Sequence, residues 1–129
     1  MFTLSQIQDA HDKVQTGEDF STYIQDLIQL GVKGYDTIVT DGRISYYGDN
    51  NYTTTTEAKY ETLATATIAN KERFIEFLVM HQDGQTNYHT FCQHAAQCGI
   101  AKWRVDIIEM TCTYLDAANN PIVIEKIPV

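Results

Sequence analysis

Between Tyr88 and Gly99 the chain carries His89, Cys92, His94 and Cys98, spaced His-x-x-Cys-x-His-x-x-x-Cys, and these are zinc-binding residue types. His94 and Cys98 stand four apart and share one face of a helix. A closed zinc site needs four convergent ligands, and one helix does not turn all four inward, so no metal site is predicted. A nucleophilic thiol needs an electropositive, part-exposed setting. Cys92, Cys98 and Cys112 occupy apolar positions in an acidic chain, which points to packing. No serine lies in Gly-x-Ser-x-Gly, and no Gly-x-Gly-x-x-Gly or phosphate loop is present. The scattered acids single out no catalytic pair, and Asp36 and Asp106 read as solvated strand positions. No catalytic residue and no cofactor are predicted. What remains is a polar group near two hairpins, Asp41, Arg43, Tyr47 and Asp106, of a kind that serves a small-molecule-binding domain or an enzyme, the alternative to a non-enzymatic interaction protein.

These residues need elements to hold them. Thr3 is the expected cap of a first helix carrying Leu4, Ile7, Ala10, His11 and Val14 and closing at Gly17. Asp19 is the expected cap of a second, with a stripe of Phe20, Tyr23, Ile24, Leu27, Ile28 and Leu30. Gly31 follows where a helix needs a left-handed residue. Tyr35, Thr37 and Val39 then alternate with Asp36, Ile38 and Thr40, as a half-buried strand does. Asp41-Gly42 predicts a two-residue type I′ turn into a partner strand over 43–47. A short edge strand is expected over 52–56, then a linker containing at most a helical turn. Asn70 and Asn87 are expected to cap two further helices, closed by Gly84 and Gly99. Strands are expected around Trp103, Val105 and Ile107, over 110–115, and over 122–127, with Pro121 and Pro128 at the ends of the last.

The layout is written twice. A shift of 68 residues pairs Phe20 with Tyr88, Tyr23 with Phe91, Gly31 with Gly99, Tyr35 with Trp103, Val39 with Ile107 and Tyr46 with Tyr114. A slip of one residue pairs Gly17 with Gly84. The three cysteines replace Ile24, Leu30 and Ile44 of the first half, and His94 replaces Asp26, an exposed position by periodicity. The expected fold is α+β: a duplicated helix-helix-strand-strand-strand unit forming a pseudo-twofold antiparallel sheet with its helices on one face. One domain is expected over 1–129, with repeats at about 3–56 and 70–127 joined by a linker at about 57–69.

If the helices cover one face, Tyr35, Val39, Tyr46, Trp103, Val105, Ile107 and Tyr114 point into the core. The other face then shows Ile38, Arg43, Tyr47, Asp106, Ile108, Thr111, Thr113 and Leu115. That is more apolar than a solvated face requires, and it predicts an interface: a homodimer, a protein partner or a shallow small-ligand site. The formal charge of −8, with 17 acidic and 9 basic side chains, disfavours nucleic acid. No apolar run reaches bilayer length, no basic-then-apolar leader is visible, and three cysteines without a Cys-x-x-Cys pair fit reduced thiols. A cytoplasmic protein is expected.

Several stretches resemble a known family: Asp19-Phe20-x-x-Tyr23-Ile24-Gln25-Asp26-Leu27, Asp41-Gly42 with Tyr46-Tyr47-Gly48, Phe91-Cys92, and Trp103-x-Val105-Asp106-x-x-x-Met110-Thr111-Cys112-Thr113-Tyr114. They are similar to small bacterial proteins often labelled phage envelope protein, or prophage-encoded domain of unknown function. The resemblance spans nearly the whole chain and implies a compact α+β domain of bacterial or prophage origin. It implies no activity, cofactor or catalytic set. Its label alone implies a virion component. Leu115 departs from it, standing where a second tyrosine is expected.

Overall fold

A computed structural model describes residues 2–14 and 20–127. Gly17, Asp19 and Pro128, to which the sequence assigns a helix end, a cap and a strand end, lie outside the described residues. Among the described residues the order is α1 (Leu4–His11), α2 (Phe20–Leu30), β1 (Gly34–Ile38), β2 (Ile44–Tyr47), β3 (Thr53–Thr55), α3 (Lys71–Gln82), α4 (Tyr88–Gln97), β4 (Ile100–Asp106), β5 (Thr111–Asp116) and β6 (Pro121–Lys126).

The helix starts follow local chemistry. Thr3 closes a capping box with Gln6, while the Asn70 and Asn87 side chains accept from the backbone N–H of Arg73 and Thr90. Each such cap contributes about 1 kcal/mol. Gly31, Gly84 and Gly99 take φ of +93°, +77° and +79° just past their helices, as expected of left-handed closing residues. α1 stops at His11, short of Val14, because the chain turns through Asp12 and Lys13; Val14 still packs on the core.

The six strands form one antiparallel sheet in the order β3-β2-β1-β4-β5-β6. One core cluster joins Ile24, Leu27, Phe74, Phe91 and Ala95 of the helices to Tyr35, Tyr46, Trp103, Val105 and Tyr114 of the sheet. Val39 and Ile107 are buried there too, so all seven side chains expected on the inner face are inside. The opposite face of the sheet is the open face.

The register has a regularity. Tyr35↔Tyr46, Asp36↔Ser45, Thr37↔Ile44 and Gly34↔Tyr47 in β1–β2 recur as Trp103↔Tyr114, Arg104↔Thr113, Val105↔Cys112 and Lys102↔Leu115 in β4–β5, each 68 residues on. In the central β1–β4 pair, Asp36 faces Arg104, and the Val39 N–H to Ala101 O bond is matched by Ile107 N–H to Lys33 O. The outer strands agree less well. Tyr47↔Thr53 matches Leu115↔Pro121, but beyond a bulge between Tyr114 and Leu115 the β5–β6 register is displaced by one residue.

The two-residue hairpin is not what forms. Ile38 N–H donates to Arg43 O and Gly42 N–H to Ile38 O, leaving a four-residue loop over 39–42 in which Gly42 alone has positive φ. Val39 is drawn to β4 through Ala101, and residues of the linker hold the loop: Lys59 N–H donates to Asp41 O and Leu63 N–H to Thr40 O. The linker contains no helical turn.

Candidate functional site

Strand alternation and register place the open face in three rows. One runs Thr53, Tyr47, Gly34, Asp106, Thr111, Lys126; the next Thr55, Ser45, Asp36, Arg104, Thr113, Ile124; the last brings Ile38, Lys102, Leu115 and Pro121 together. At the centre, Arg104 Nε and Nη2 donate to the two Asp36 carboxylate oxygens at 2.8 and 3.0 Å. This bidentate fork fixes both side chains across neighbouring strands. Asp36 is therefore no free solvated acid, since its side chain is only 18% exposed. The hydrogen bond to Asp36 raises the Arg104 pKa further, so the guanidinium keeps its charge.

Beside the fork, Tyr47 lies along the sheet over its register partner Gly34. A Cβ at position 34 would stand 2.5 Å from the Tyr47 hydroxyl and 2.7 Å from Val105 O. An aromatic ring covering a cross-strand glycine is a recognised way to shield bare backbone. Burial, and then the nearby Asp36 carboxylate, push the Tyr47 phenol up, so it holds its proton and is a donor at neutral pH.

The other polar candidates are engaged by the backbone. Asp41 Oδ1 accepts the Arg43 N–H at 3.0 Å, and Asp41 Oδ2 pairs with Arg43 Nε at 3.1 Å. Asp106 Oδ1 accepts from the N–H groups of Ile108 and Glu109, both at 3.0 Å, and so shapes the β4–β5 hairpin. Both acids are turn-formers by geometry.

Of the apolar candidates, Ile108 is 68% exposed on that hairpin and Ile38 is half-buried. Leu115 differs from expectation. It is 7% exposed although it lies outside the inner core cluster, sitting in register beside Lys102, which also pairs with Ile38. The open face gains Ile124, 63% exposed in line with Thr113 and Arg104, which the sequence reading left out. Gly34 and Arg104 were missed as well. Only cross-strand register reveals them, and no local pattern encodes that.

Two surface hollows lie elsewhere. One, of about 360 Å³, is lined by Leu4, Ile7, His11, Tyr46 and Glu57 among others, and one of about 290 Å³ by Leu63, Gln93, Ala96 and neighbours. Both are open, and neither includes Asp41, Arg43, Tyr47 or Asp106.

The histidine and cysteine cluster resolves into stacking and packing. His94 is half-buried, not exposed, its ring stacked on Phe77 with centroids 3.8 Å apart, while the Arg73 guanidinium lies 4.4 Å from the Phe77 ring centroid. His81 stacks on Phe91 at 4.4 Å. Burial lowers the pKa of both histidines. Cys92 and Cys98 are buried, and Cys112 is half-buried against the core. Burial pushes the Cys112 thiol up to about 12. Among the described residues no three His, Cys, Asp or Glu groups converge to hold a metal ion, and no helix is long and apolar enough to cross a membrane.

The family model described as "Protein of unknown function (DUF1398)" matches residues 8–126. No curated protein matches the chain.

Proposed function

We infer a role from the chain's own residues, because the chain belongs to DUF1398, a family of proteins of unknown function. Our reading is a non-enzymatic binding protein that docks another protein on the open face of its sheet, a second copy of the chain being the first partner to test. The observation that carries it is the placement of apolar surface. The inner face is closed by a core, while on the open face Ile124 stands exposed in the row of a fixed, charge-balanced Asp36–Arg104 pair, and Ile108 stands exposed on the β4–β5 hairpin. A small-ligand site around the hairpins is the weaker reading, since Asp41 and Asp106 are committed to turns and both hollows lie away from them.

Size sets the expected strength. Six strands about 4.8 Å apart and about five residues long make a face roughly 25 by 17 Å. Alone, that supports an interface at the small, transient end of the range.

Within this reading the chain is one unit written twice about a twofold axis between β1 and β4, and it forms one domain. The recurring register and the matched glycine closures support that. A bacterial or prophage origin and a cytoplasmic site are parts of the same proposal. The resemblance supports the first, and the free cysteines Cys92, Cys98 and Cys112 support the second.

The test is the variant Ile38→Ser/Ile108→Ser/Ile124→Ser, compared with the wild type by light scattering across concentration and by cross-linking in host extract. The wild type is expected to show self-association or a discrete cross-linked partner that the variant loses while its melting temperature stays within a few degrees. Identical masses and identical cross-linked species would remove the proposal.

A further inference from the structure

We propose that Asp36 and Arg104 form a recognition key, by which the inner strand of each half accepts the other half and refuses a copy of itself. The inference rests on the reading of the chain as a duplicated unit. Residues 36 and 104 are equivalents at the 68-residue spacing, and they are also directly opposite each other in the β1–β4 register. The twofold axis therefore passes between them. A residue on such an axis meets its own equivalent, and two copies of one charged side chain would repel there. Here an acid meets a base, joined at 2.8 and 3.0 Å.

The competing pairings show what the key excludes. In the equivalent register, β4 against β4 of a second molecule sets Trp103 beside Val105 and Lys102 beside Asp106, contacts that favour the pairing. Only Arg104 facing Arg104 opposes it. For β1 against β1, Tyr35 meets Thr37 and Gly34 meets Ile38, again compatible, and only Asp36 facing Asp36 opposes. Like charges directly opposite in an antiparallel pair destabilise it. One position thus separates the β1–β4 sheet from homotypic β1–β1 or β4–β4 dimers, which inner strands with bare edges would otherwise form during folding.

The experiment refolds full-length variants from denaturant over a hundredfold range of concentration and reads mass by light scattering and melting by circular dichroism. The charge swap Asp36→Arg/Arg104→Asp is expected to keep the wild-type mass distribution and melt within about 5 °C of it. Asp36→Arg alone is expected to melt at least about 5 °C lower, with added dimer. The neutral pair Asp36→Thr/Arg104→Thr is expected to refold into severalfold more dimer, increasing with concentration. A neutral pair with the wild-type mass distribution at every concentration would overturn the proposal. If the neutral pair does not fold, the swap decides, because a swap no better than Asp36→Arg alone also overturns it. Failure of the duplication itself would be seen separately, as experimental coordinates in which the two halves do not superpose. Loss of open-face docking would be seen in the isoleucine variant.

Discussion

Gly34 is the residue on which the open face depends. With no side chain it lets Tyr47 lie flat beside the Asp36–Arg104 fork, and a methyl group there would meet both the phenol and Val105 O. Gly34→Ala is expected to lower stability by about 1–3 kcal/mol in denaturant titration, as overpacking does. A double variant Gly34→Ala/Tyr47→Ser should recover part of that loss, and no recovery would place the strain at Val105 O instead. The thiols make a second residue-scale prediction. Cys112 titrates near 12 in the folded chain, against about 9 when unfolded. Its protonated form therefore adds stability that is complete below about pH 9 and is lost as pH rises from there through about 12. Cys112→Ile, the residue of the first half, should flatten the alkaline fall in melting temperature, and an unchanged fall would discount the thiol. The packing role of the cysteines was legible in the sequence because the residues 68 positions earlier, Ile24, Leu30 and Ile44, are aliphatic. The weight carried by Gly34 and Arg104 was not, because it exists only once β1 lies between β2 and β4.

At the scale of elements, what depends on neighbours in sequence was readable. Thr3, Asn70 and Asn87 cap helices by bonding three residues on, and Gly31, Gly84 and Gly99 close them by backbone freedom alone. The 39–42 loop was misread for the opposite reason. Asp41-Gly42 favours a tight turn locally, but Ala101, Lys59 and Leu63 claim the backbone groups on its approach. The Tyr60 hydroxyl adds to this grip by donating to Val39 O. Tyr60→Phe is expected to cost about 1 kcal/mol and to speed amide exchange at Gly42 and Leu63 before any change in β5. Uniform acceleration across the sheet would mean that the linker does not hold the loop locally.

For the whole molecule, the inner layer was the easier half to foresee, because burial enforces alternation and aromatic residues recur there at a 68-residue spacing. The open face was foreseen only in outline. Ile38 lies on it, Ile108 stands exposed on the β4–β5 hairpin, Leu115 is sheltered in register with Lys102, and Ile124 becomes part of it through the displaced β5–β6 register. On the proposed reading, another protein covers this face. Ile124→Cys places a thiol on the 63%-exposed position, while burial keeps the native thiols Cys92, Cys98 and Cys112 slow to react. The direct measurement is the rate at which a maleimide labels that new thiol, first in dilute purified protein and then in concentrated host extract. Fast labelling is expected in the first and at least severalfold protection in the second; equal rates in both would mean that no protein covers the face.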